Sequence, residues 1–208
     1  MVIGRSHLLL LLALLGGCAG NKVSEQICST RDWQTLGYRD AVNGQRSSAL
    51  LSHQESCARH GVVSDRSAYM AGWQEGVAEY CEADNGFRVG QEGYDYRNIC
   101  PDSAEAEFLV QYRRGLELYE ARVAVEDLEF RIDASEQRLS QVKSHILASA
   151  SAQFDPTLTP QGRVDLLAET QRLNDERMLI ETALPGLRRD LDDKRRKLDA
   201  LTRTLAAN

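Results

Sequence analysis

The chain has 208 residues, a formal net charge of −6 and 42% hydrophobic residues. The balance is mildly acidic, so nothing suggests bulk nucleic-acid binding, which needs a basic surface against phosphate. The length is that of one or two domains once a leader is set aside.

The leader comes first. Arg5 and His7 precede an apolar run from Leu8 to Leu15, then Gly16, Gly17 and Cys18. A charged start, a short apolar run and small residues at the exit make a secretory signal, too short to span a bilayer. A cysteine directly after the small residues resembles the bacterial lipobox. That resemblance implies removal of residues 1–17 and acylation of Cys18, since several acyl chains hold a protein where one does so only marginally. A plain signal peptide with an incidental cysteine is the simpler alternative. Ala19 is not the aspartate that resembles an inner-membrane retention signal, so the expectation is a lipid anchor in the outer membrane, facing the periplasm. Residues 18–27 then form a lipidated flexible tether.

The next region, 28–103, carries the other four cysteines: Cys28, Cys57, Cys81 and Cys100. An even number in an oxidising compartment reads as two disulfides. Three pairings are possible. The preferred one joins Cys57 to Cys81 within a helix pair and Cys28 to Cys100 across the ends of the region. Each bridge is expected to contribute about 3 kcal/mol by constraining the unfolded chain. Three short helices are predicted: about 31–42, opened by Thr30 or Asp32; about 47–59, from Ser47 or Ser48 to Gly61; and about 65–82, opened by Ser64 or Asp65. Residues 84–100, rich in glycine, read as loop.

His53, Cys57 and His60 would share one helical face, which allows a soft-metal site. A disulfide-bonded Cys57 flanked by surface histidines is the simpler reading, and no metal ligand is assigned. Asp40, His53, Glu55, Glu75 and Glu92 are acid–base candidates, but no nucleophile, paired-carboxylate or phosphate-loop motif accompanies them. No catalytic residue or cofactor is therefore expected. Tyr38, Asp40, Trp73 and Glu75 suit glycan binding, with rings that stack and carboxylates that accept from hydroxyls, and peptidoglycan would be the ligand. Packing of a small core explains the same residues more simply.

A weak repeat of aromatic, spacer and glycine recurs at Trp33…Gly37-Tyr38, Tyr69…Gly72-Trp73…Gly76, Phe87…Gly90…Gly93-Tyr94 and Phe108…Tyr112…Gly115. Together with Asp40, Gly44, His53, Cys57, Gly61, Tyr80, Cys81 and Cys100, this pattern resembles a family of uncharacterised bacterial lipoproteins defined only by a domain of unknown function. The resemblance covers roughly residues 28–120 and departs at Ala41, where that family tends to have glycine. It implies a lipoprotein with a cysteine-stapled helical region and supplies no reaction.

From Ala104 to the end the pattern is regular. Leu118, Ala121, Val125, Leu128, Ile132, Ser135, Leu139, Val142, Ile146 and Ser149 alternate spacings of three and four, which is a heptad seam. A second seam runs through Leu166, Thr170, Leu173, Arg177, Ile180, Leu184, Leu187, Leu191, Lys194, Leu198, Leu201 and Leu205. Asp102 and Ser103 are the expected caps of the first helix, and Thr159 with Pro160 opens the second. Two helices of about 46 residues, roughly 70 Å each, joined near 150–160, predict an antiparallel hairpin over 104–208. Pro185 is expected to kink the second helix without ending it.

The predicted fold is therefore all-α: a small disulfide-stapled helical base followed by a long antiparallel two-helix coiled-coil hairpin. The expected function is that of an envelope structural or adaptor lipoprotein. Its partners would be the lipid membrane through Cys18 and an unidentified envelope protein, with Phe154 and Leu158 at the tip as contacts; a soluble helical spacer is the simpler reading of the hairpin, and a partner helix or self-association along its exposed flank is the other. A peptidoglycan-binding lipoprotein is the alternative, and a metal-dependent enzyme around His53 is the third.

Overall fold

The computed structural model describes residues 28, 30 and 32–206. Cys18, the leader and the tether lie outside the described residues. The fold is all-α, with two disulfides in the N-terminal part and two long antiparallel helices at the end. The helices are α1 (Trp33–Val42), α2 (Ala49–Ala58), α3 (Arg66–Tyr80), α4 (Ala83–Gln91), α5 (Asp102–Ala152) and α6 (Pro160–Ala206). The chain divides into two compact units between Glu79 and Tyr80.

In the first unit, short polar side chains set the helix starts. Asp32 Oδ1 accepts from the Thr35 N–H at 3.0 Å, and Asp65 Oδ1 accepts from the Ala68 N–H at 2.9 Å. Both caps satisfy amide donors that the first helical turn leaves unpaired. Ser48 holds the cap position of α2 but makes no side-chain bond to it. Beyond α2, Gly61 at φ 70° makes the left-handed turn that an L side chain adopts only with strain. Cys28, Trp33, Leu36, Leu50, Cys57 and Tyr69 form the buried core.

The second unit opens with a departure from expectation. Residues 83–91 are helix, not loop. Gly86 and Gly90 read as loop signals because glycine weakens a helix by roughly 1 kcal/mol. Here they are the positions where α4 lies against the backbone of α5, so a Cβ on Gly90 would overlap the carbonyl oxygen of Tyr112. Close packing compensates for the weak propensity. Phe108, fully buried, is ringed by Tyr80, Tyr96 and Tyr112, with centroids 4.9–6.3 Å away. Pro101 takes the cap position of α5, with Asp102 inside its first turn rather than capping it.

The disulfides are Cys28–Cys57 and Cys81–Cys100, which corrects the expected pairing. Each bridge closes within one unit, between cysteines that follow each other in the chain. The reason lies in a plan that both units share. In the first, a Cβ on Gly37 would overlap Tyr69 O and crowd Trp73 N, and one on Gly72 would overlap Gln34 O. In the second, Gly90 meets Tyr112 O and Leu116 N, and Gly115 meets Phe87 O. In all four cases the oxygen belongs to the residue three before the opposing glycine. Each unit is thus a helix pair crossing glycine to glycine. Nine residues separate Cys28 from Gly37 and Cys81 from Gly90, and fifteen separate Cys57 from Gly72 and Cys100 from Gly115. A shared crossing and shared offsets put each pair of sulfurs in reach. The first unit differs by ten extra residues between Gly37 and Cys57, relative to Gly90 and Cys100, and these make room for α2.

The hairpin follows the heptads. Val125, Leu128, Ile132, Leu184 and Leu191 form its buried core, with Leu139, Ile180, Leu187 and Leu198 packed against them. With Val125 and Leu184 at position a, Glu129, Glu136 and Lys143 stand at e and pair with Arg195, Arg188 and Glu181, also at e, at 2.6, 2.6 and 2.8 Å. Arg138 and Glu176, both at g, pair through two bonds of 2.5 and 2.9 Å. Pairing of e with e and g with g is the arrangement of antiparallel helices, in which both chains present the same heptad edge to each other. Thr159 caps α6 as expected, its hydroxyl accepting from the Gly162 N–H at 3.0 Å. The helix continues through Pro185.

Candidate functional site

Two places carry the groups singled out by the sequence: a polar network in the first unit and the tip of the hairpin.

The network starts at Asp40 on α1. Its Oδ2 lies 2.6 Å from His53 Nε2 on α2 and accepts from the Tyr69 hydroxyl of α3 at 2.7 Å. His53 is 7% exposed and Tyr69 is fully buried. Burial, followed by the hydrogen bond to Asp40, pushes the Tyr69 phenol well above its ordinary value, which keeps it a neutral donor. The helix α2, which has no counterpart in the second unit, supplies His53. At the equivalent of Asp40, three residues past the crossing glycine, the second unit has Gly93. The counterpart of Tyr69 there is Tyr112, whose hydroxyl donates instead to the Tyr94 carbonyl at 3.0 Å. The network is thus specific to the first unit. Its chemistry is that of a three-helix tie: His53 turns Nε2 to Asp40, and Nδ1 is buried without a partner. Neither ring nitrogen is offered to solvent.

The four glycan candidates are all engaged within the first unit. Asp40 is committed to His53 and Tyr69, and the Trp73 indole N–H donates to Gln45 O at 2.9 Å. Tyr38 donates to Glu79 at 2.5 Å, and Glu75 accepts from Gln34 at 3.0 Å. The Glu79 bond comes first among the causes that raise the Tyr38 phenol. All four therefore bond within the first unit, tying α3 to α1 or to the turn after α1, with Asp40 also reaching α2.

Of the helical face expected to hold His53, Cys57 and His60 together, Cys57 is in a disulfide and His60 lies in the turn after α2, exposed. Glu55 is exposed, and Glu92 pairs with Arg88 at 2.9 Å. Among the described residues no group of three or more His, Cys, Asp or Glu side chains is placed to hold a metal ion. No helix among them is long and apolar enough to cross a membrane.

At the hairpin tip, Asp155 accepts from the Thr157 N–H at 2.8 Å and from the Thr157 hydroxyl at 2.7 Å. Arg163 donates to the Gln153 and Asp155 carbonyls, the latter at 3.1 Å. These bonds order the turn. Phe154 is 87% exposed on it, whereas Leu158 is half-buried over Gly162. Of the two tip residues expected as contacts, Phe154 is the one offered to solvent.

The expectation missed the Asp40–His53–Tyr69 network, although all three residues were visible. Asp40 and Tyr69 belong to the repeat, and His53 stands in the one stretch that the second unit lacks.

Residues 32–117 match the family model described as "Protein of unknown function (DUF2799)". The matched span takes in α1 to α4 and the first part of α5, so most of the hairpin lies beyond it. No curated protein matches the chain, and neither does any solved structure.

Proposed function

We propose that this protein is an exported lipoprotein of the cell envelope, acylated at Cys18 and held in the outer membrane facing the periplasm. There it acts as an adaptor that presents its hairpin to another protein. The observation that carries the adaptor reading is Phe154: a large apolar side chain 87% exposed, on an ordered turn, at the end of a hairpin whose register is set by ion pairs. An exposed ring on an ordered turn suits recognition by a partner, because little entropy is lost on binding. Two disulfides within the N-terminal part fit an oxidising compartment, in keeping with export.

A photo-crosslinking residue placed at position 154 in intact cells tests this. The expected result is one or a few discrete crosslinked proteins. A probe at position 154 that captures nothing, while the protein is present at its normal level, removes the tip as a recognition element. The intact mass of the native protein from the same cells tests the anchor, since acylated Cys18 at a new amino terminus is required.

A further inference from the structure

The heptad positions give each flank of the hairpin an identity. The e positions of α5 and α6 face each other across one flank, as their three ion pairs establish, and the b positions border it. Along α5 from Glu129 to Lys143, and on α6 from Glu181 to Arg195, this flank is charged. Nearer the tip it changes character. Leu147 at b is 70% exposed; on α6, Val164 at b, Leu167 at e and Met178 at b are 58%, 55% and 55% exposed. Between Lys143 and Asp155, α5 has no Asp, Glu, Lys or Arg, and Gln171 and Asn174 fill the flank positions on α6. Phe154 lies at the tip end of the same stretch. The described residues of α5 and α6 also expose Val110, Val123 and Phe130 on α5 and Leu179 on α6, which form no patch across both helices.

We propose that this uncharged flank is the seat of a second copy of the chain, the two hairpins packing side by side with their tips overlapping as a four-helix bundle. The proposal rests on the reading of the hairpin as a protein-interaction element and makes a second copy of the chain a partner of it. Three features favour a second copy. The flank is apolar on both helices: on α5 it offers Leu147 and Ala150, and on α6 it offers Val164, Leu167 and Met178. A two-fold axis through the flank sets apolar side chains of one copy against apolar side chains of the other, as a self-matching interface requires. Charge allows it, because an overlap confined to this stretch brings no carboxylate of one copy against a carboxylate of the other on this flank. The area suffices: five exposed side chains at roughly 80 Å² apiece offer about 400 Å² of apolar surface per copy. At the roughly 65% apolar content of homodimer interfaces this corresponds to about 600 Å² per partner, the lower end of specific association.

The test is sedimentation equilibrium of the full exported chain carrying Cys18→Ala, between about 1 and 500 μM. The expected mass rises from monomer to dimer with a midpoint of about 10–100 μM. The double variant Leu147→Glu, Met178→Glu should stay monomeric throughout, with its helical circular dichroism unchanged. The control Val123→Glu, Phe130→Glu, placed on the outer face of α5, should dimerise like the parent. A parent that remains monomeric to the highest concentration overturns the proposal. So does a dimer that survives the flank variant or is lost in the control. A monomeric parent whose position 154 still crosslinks a different protein in cells would overturn self-pairing and leave the adaptor reading standing.

Discussion

A methyl group at Gly72 would overlap the carbonyl oxygen of Gln34, which belongs to backbone and cannot turn aside. At Gly61 a methyl would meet nothing within 4 Å, and its cost comes only from φ of +70°. Gly72→Ala is therefore expected to destabilise the first unit by about 3 kcal/mol or to prevent its folding, as overpacking against a fixed neighbour does. Gly61→Ala should cost only about 1 kcal/mol. Urea unfolding followed by circular dichroism separates the two, and equal effects would remove the crossing from its structural role. The same residues show what the sequence makes legible. Glycines spaced among aromatics were readable as close-approach points, but what each one approaches was not, because that depends on which helices meet. Gly86 and Gly90 look like loop residues until α5 is laid against them. Ala41, where glycine was expected by resemblance, is fully buried and lies where a Cβ on Gly76 would go. One methyl fills that contact from α1, and glycine on α3 makes room for it.

Among the elements, the hairpin was the most legible and the helix α4 the least. A period of seven sustained over ten positions leaves one solution for which faces pack, and two such runs joined by a Pro-containing turn leave one orientation. Val125, Leu128, Ile132, Val142, Leu173, Leu184 and Leu191 are buried where the seam places them. Lys194, which also falls on the seam, is exposed, its long stem letting the ammonium reach water. Charge then fixes register. Exchanging Glu136→Arg alone would set two cations across the e flank, and Arg188→Glu alone two anions. The double exchange restores an opposite pair. Each single variant should lower the melting temperature by no more than about 2 °C, because these groups are half-exposed and solvent screens them. The double variant should recover most of the loss. A thermal double-mutant cycle with no coupling would mean that the pair does not help set register.

For the molecule as a whole, the shared plan of the two units is the principal result. Offsets of nine and fifteen residues from cysteine to glycine recur in both, and they were present in the sequence. The aromatic–glycine repeat was readable, yet extending it to the cysteines required knowing that the first unit carries extra residues between Gly37 and Cys57. With α2 in place the two halves differ in length, and that obscured the pairing. Cys57→Ser should lower the stability of the first unit by about 3 kcal/mol and leave the unfolding transition of the second nearly unchanged, because each bridge constrains only its own segment. Peptide mapping without reduction should recover Cys28 with Cys57 and Cys81 with Cys100.

Pairing in chain order also bears on how such a polypeptide matures. If it enters an oxidising space amino terminus first, the earliest two thiols to emerge after Cys18 are the correct couple, and the next two are again the correct couple. A simple oxidant acting on whatever has just arrived then yields the native molecule, and thiol reshuffling has nothing to repair.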